Sequence, residues 1–167
     1  MNLHRLLQKK KSAIRKRWLD EIFTSYPPDA CHFLKDEMDV FANPVGHTIS
    51  ANADYILEGL IKGDDTSSLS PYLEWIIRIR AVQDFTPTQV VSFVGSLKSA
   101  TIGLLQTDIQ KHNLWEEWEE LSARIDTLTL MSFEIYTKMK EKIHSIQMKE
   151  LEKSEKFLIR LMESRTR

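Results

Sequence analysis

The sequence predicts an all-α protein: a compact helical bundle followed by one long C-terminal helix. Three observations carry this. Apolar residues recur at spacings of three, four or seven, and no long β-branched alternation is present. The pairs Asn43-Pro44, Ser70-Pro71 and Thr86-Pro87 each stand just ahead of such a segment, where proline suits the first helical position. From Asn113 to the end, neither proline nor glycine interrupts the chain.

The first helix is expected over 2–24, where Leu3, Leu7, Ile14, Trp18 and Ile22 form a stripe that Lys11 interrupts and "SYPPD" ends. A short helix over about 29–40 carries Phe33, Leu34 and Met38. Asn43 is a good N-cap, so "NPVG" opens a third helix over about 44–62, closed by "GDDTSS". Ser70-Pro71 opens a fourth, "YLEWIIRIRAV". Thr86 and Gln89 form a capping box ahead of a fifth helix over about 87–110, apolar nearly all round and expected at the centre. Asn113 with Glu116 reads as a second capping box, starting the last helix.

That last helix places Leu121, Ile125, Leu128, Ile135, Met139, Ile143 and Ile146 on a ragged four-three spacing. At 1.5 Å per residue, ~50 residues span about 75 Å, more than a compact domain. Such a helix either bends or sends its distal half outward, and an amphipathic helix of that kind wants a partner, usually a second copy. Those seven residues are the candidate dimer and transmission surface. The expected division is a sensor body over 1–115 and, over 113–167, a helix that completes the bundle and extends toward a dimer or effector.

Composition narrows the function. The 167 residues suffice for one domain with a real core. Hydrophobic residues make 42% and charged residues 28%, with net charge −1, so no global field advertises nucleic acid or a membrane surface. Cys31 is the only cysteine, which excludes an internal disulfide and a thiolate cluster. The N-terminal segment lacks the apolar run of a signal peptide, and "VVSFVGSLKSATIGLL" is broken by Lys98 and serines, so it reads as a core helix rather than a membrane span. The expectation is a cytoplasmic protein.

The chemistry-bearing residues are sparse. His4, His32, His47, His112 and His144 lie on five segments, with no i, i+4 pair and no HExxH, so neither a metal nor another cofactor is expected. His47, one turn into the third helix, either faces a pocket or is hydrogen-bonded near the helix start; the helix dipole there disfavours a protonated ring. Gly46 allows either a close helix approach or room for a ligand, and close packing is favoured. In "RIRAVQDF", Arg80 and Asp84 can pair at i, i+4, while Arg78 and Arg80 lie about 200° apart on a helix, so one points inward and needs a carbonyl or anionic partner. The run "KKKSAIRKRW" reads as a solvated face, and "WEEWEE" as an acidic first turn whose tryptophans pack. No nucleophile elbow, phosphate loop or dinucleotide fingerprint is present. His144 lacks the neighbours of a phosphoacceptor histidine.

Three stretches, "RWLDEIFTSYPPD", "FANPVGHTI" and "IIRIRAVQDFTPTQVVSFV", resemble the RsbRD-type N-terminal sensor domain found at the front of stressosome co-antagonists and of some bacterial histidine kinases. The resemblance covers about residues 4–110. It implies a globin-like all-α fold without haem, acting in signal input through dimers. It places family-pattern residues at Trp18, Tyr26, Pro27, Phe41, Asn43, Pro44, Gly46, Arg78, Arg80, Ala81, Val82, Gln83, Phe85 and Pro87. The chain carries neither the phosphorylatable nor the kinase domain of those proteins, so it reads as a sensor apart from its effector, or as a piece of a longer protein.

The resulting expectation is a non-enzymatic sensory or protein-interaction domain of bacterial signal transduction, homodimeric, meeting a signalling protein and an unidentified small ligand. The candidate ligand or switch residues are His47, Arg78, Arg80 and Gln83. The alternatives are a haem or tetrapyrrole globin, for which only His112 lies near the required helix, and a small phosphotransfer or enzymatic helical domain.

Overall fold

The computed structural model describes residues 1–83 and 85–165. Among the described residues it contains six α-helices and no strand. Two compact units are present, Met1–Tyr136 and Thr137–Arg167.

In the first unit, α1 (Leu3–Thr24) starts at Asn2, whose side chain accepts the Arg5 N–H. Its expected stripe is buried: Leu3, Leu7, Ile14, Trp18 and Ile22 all lie in the core, joined by Leu6, Leu19 and Phe23. The fully buried Trp18 satisfies its indole by donating to the Phe93 carbonyl at 2.6 Å, tying α1 to α5. The basic run is not simply a solvated face. Lys11 pairs with Glu58 and Arg15 makes a two-pronged pair with Asp54, fastening α1 to α3, while Arg17 lies across Gly103 of α5.

The helix α2 spans Pro28–Asp36, four residues short of expectation, because Glu37 turns to extended backbone. The remaining helices are α3 (Pro44–Lys62), α4 (Ser70–Ala81), α5 (Pro87–His112) and α6 (Trp115–Arg165). Gly63, at φ 82°, closes α3 in the left-handed conformation that suits glycine. Ser70 does not cap α4. A 3-10 turn, Thr66–Leu69, runs straight into the helix, so Ser70 is already helical and Pro71 follows in the first turn. The Thr86–Gln89 capping box is present as expected, and α5 packs chiefly on α1.

Asn113 corrects a further expectation. Its φ of 54° makes it the left-handed end of α5 rather than the N-cap of α6, and the Leu114 carbonyl accepts the first helical N–H, from Trp118. Asparagine tolerates both roles; the αL requirement at the end of α5 wins. The helix α6 is continuous over 51 residues. Within the first unit it buries Trp118, Leu121, Ile125, Leu128, Ser132 and Tyr136. It also serves two neighbours: Glu117 accepts the Leu3 N–H at 2.7 Å at the start of α1, and Arg124 donates to the carbonyls of Leu60 and Asp64 at the end of α3. Each charge thus meets the opposite end of a helix dipole. In the second unit α6 continues to Arg165, and over 137–165 its side chains are half or fully exposed.

Candidate functional site

The "NPVG" tetrad builds a rigid corner between α2 and α3. Asn43 is 2% exposed and works in two directions. Its Oδ1 accepts the Gly46 N–H at 2.9 Å, the expected N-cap of α3. Its Nδ2 turns back to the Leu34, Glu37 and Phe33 carbonyls at 3.1, 3.2 and 3.4 Å, closing the end of α2. Glycine at 46 is then obligatory for a packing reason. A Cβ there would stand 2.7 Å from the Leu34 carbonyl oxygen and closer still to the Asn43 amide. Close approach, not room for a ligand, is what Gly46 provides.

His47 follows on α3. Its Nε2 lies 3.1 Å from the Met38 carbonyl, to which it donates, so it pins the 37–43 segment. The same ring lines an open cleft of about 410 Å³ between α1, α2 and α3. Leu19, Phe23 and Leu34 give this cleft an apolar floor, the exposed Met38 lies at its edge, and charged groups surround it. Those charges are largely spoken for: Arg15 is held by Asp54, and Lys35 by Asp20 at 3.2 Å. The Asp20 carboxylate raises the Lys35 pKa above the ordinary ammonium value. His47 is thus hydrogen-bonded near a helix start and also lines the cleft.

Arg80 and Gln83 form a separate cluster. Arg80 is the inward arginine, 1% exposed, and Arg78 is the outward one, paired with Glu74 at 2.9 Å. The Arg80 guanidinium lies 4.5 Å from the Phe85 ring centroid and 5.5 Å from that of Tyr26. Its Nη2 donates to the Gln89 carbonyl at 2.8 Å and the Ser25 hydroxyl at 3.1 Å, while Nε and Nη1 have no hydrogen-bond partner among the described residues. The expected Arg80–Asp84 pair lies outside the described residues, since Asp84 is not among them. Gln83 enters through Tyr26, whose hydroxyl donates to Gln83 Oε1 at 2.8 Å. Burial pushes the Tyr26 phenol above its usual pKa, against the opposing pull of Arg80. Burial likewise lowers the Arg80 pKa, with Tyr26 acting the other way. The cluster locks the ends of α1 and α4 to the start of α5.

The four candidate residues thus do not converge. Arg80 and Gln83 meet at Tyr26, His47 belongs to the α1–α2–α3 cleft, and Arg78 lies on the outer surface. Sequence reasoning missed the α1 wall of the cleft, although Arg15, Leu19 and Phe23 at i, i+4, i+8 already share one helix face. It also missed Ser25 and Gln89 as partners of Arg80. His112 is exposed in the last turn of α5, and His4, His32 and His144 are exposed as well. No cluster of three metal-ligating side chains occurs among the described residues. None of the described helices is long and apolar enough to cross a membrane.

Residues 12–151 match the family described as the RsbT co-antagonist protein rsbRD N-terminal domain. The chain belongs to that family. The match runs from within α1 to Leu151 in α6, so the rsbRD N-terminal domain takes in part of the second unit as well as the body. Signalling of the stressosome co-antagonist type is the setting this family defines. No curated protein and no solved structure matches the chain.

Proposed function

We propose that this rsbRD N-terminal domain is a non-enzymatic, cytoplasmic signal-input module that works as a homodimer and hands its state to an effector protein through α6. The observation that supports the reading is the apolar stripe of α6. At 100° per residue, Trp118, Leu121, Ile125, Leu128, Ser132, Tyr136, Met139, Ile143, Ile146, Phe157, Leu158 and Leu161 all fall within about 60° of one line. Up to Tyr136 the stripe is buried by the body. Beyond it Met139 and Ile143 are half-buried, Glu150 and Ser154 interrupt the line, and Ile146, Phe157 and Leu158 are 50%, 62% and 59% exposed. A partly exposed stripe of this kind is stabilised by pairing with a second copy.

Input enters at the His47 cleft or at the Arg80–Tyr26–Gln83 cluster, both of which tie α1 to the elements beside it. A ligand or partner acting there moves the α6 pair only if it binds two packings unequally. Native mass spectrometry of the purified chain tests the reading by reporting assembly mass and any retained small molecule together. The expected result is a species of twice 19.5 kDa that is lost in an Ile143→Lys/Leu161→Lys variant. A chain that stays single at every micromolar concentration, with helix content intact, refutes it.

A further inference from the structure

The helix α4 is apolar on two opposite faces. Leu73, Ile76, Ile77, Arg80 and Ala81 enter the core. The other face carries Tyr72, Trp75 and Ile79 and is continued just past the helix end by Val82, at spacings of three, four and three, with Trp75 51% and Val82 69% exposed. Tyr55 of α3, 55% exposed, extends this surface by stacking on Tyr72 at 4.8 Å. Arg78 rests 5.2 Å from the Trp75 ring centroid, and its pair with Glu74 forms one edge of the patch. Exposed Trp, Tyr and Arg together are the composition of interaction hot spots.

We infer that this face is a second self-association surface, on which α4 of one copy packs antiparallel against α4 of another. The charge arrangement selects the occupant. Glu74 and Arg78 lie on the same flank, one turn apart, with the acid nearer the N-terminus. An antiparallel copy crossing near Ile77 sets Trp75 over the partner's Ile79, Tyr72 over the partner's Val82, and Glu74 beside the partner's Arg78. Residue i meets j and j meets i, as a two-fold contact demands. A surface of single sign would meet one of the two charges unfavourably; a copy satisfies both. The exposed parts of Tyr55, Trp75 and Val82 amount to roughly 350 Å², under half of the ~800 Å² per partner in a standard interface, so the contact is weak by itself.

This inference shares the partner of the proposed function, and sedimentation equilibrium separates the two. The full chain is compared with Glu74→Arg, Arg78→Glu, the double swap, Trp75→Ser, and Ile143→Lys/Leu161→Lys, with far-UV circular dichroism confirming helix content in each. Each single α4 change is expected to weaken association about tenfold, and the double swap to return it to within about threefold of the parent. Unchanged association in the single variants, or a double swap as weak as its parts, overturns the α4 surface. If only the α6 variant dissociates, the α6 pairing stands and the α4 surface falls. If only the α4 variants dissociate, the reverse holds.

Discussion

Replacing Asn43 by aspartate separates two accounts of the α2–α3 corner. As an N-cap alone, the aspartate should serve α3 as well as asparagine does, since both accept the same N–H. The geometry says otherwise. The Asn43→Asp chain keeps the bond from Gly46 N–H but loses both amide hydrogens, which Nδ2 shares among the Leu34, Glu37 and Phe33 carbonyls. Two lost donor bonds at about 1 kcal/mol each, plus a carboxylate oxygen facing carbonyl oxygens at a site 2% exposed, give a destabilisation of about 2–4 kcal/mol. With a urea m-value of about 2 kcal/mol/M, the midpoint falls by roughly 1–2 M. Asn43→Ala loses the cap as well but places no carboxylate there, so it should cost a similar amount. Urea unfolding followed by circular dichroism measures both. An Asn43→Asp chain within about 0.5 kcal/mol of the parent would show that the backward bonds do not matter.

Two more outcomes are expected. Arg80→Met keeps much of the packing between Tyr26 and Phe85 but removes Nη2 with its bonds to the Gln89 carbonyl and the Ser25 hydroxyl, so it should cost about 1–3 kcal/mol, whereas Arg80→Ala loses the same bonds and opens a cavity as well and should cost about 2–4 kcal/mol more; thermal unfolding ranks them, and methionine costing more than alanine would refute the packing role of Arg80. The Tyr26 phenol has its pKa raised in the fold, so its contribution to stability is complete below the unfolded value of about 10 and is lost as pH climbs through the folded value. Tyr26→Phe should therefore flatten the alkaline fall of the denaturation midpoint while lowering the midpoint at neutral pH by loss of the Gln83 bond; an alkaline slope equal to the parent's would assign that fall to other groups.

Much of the fold was legible because proline, glycine and spacing act locally. Pro44, Pro87 and the Thr86–Gln89 box each fix a helix start from within four residues. The stripe of α1 was readable down to Lys11, whose exception the structure explains by Glu58. What escaped depends on bonds made across the chain. The backward reach of Asn43 spans six to ten residues and leaves no periodic trace. Asn113 offered the same residue type to two roles, and only the geometry of the α5 end decides between them. Angular reasoning established that Arg78 and Arg80 part company, yet which one turns inward depends on Tyr26 and Phe85, contributed by other segments. The cleft beside His47 needs three helices at once and could not be assembled from spacing.

Glu117 and Arg124 give α6 a consequence of their own. Seven residues apart on one helix, they grip the beginning of α1 and the end of α3. Seven residues is nearly two full turns, so both grips lie on one side of α6 and a slide of the helix along its axis displaces both. The helix is thereby held in register at two points, against the beginning of α1 and the end of α3.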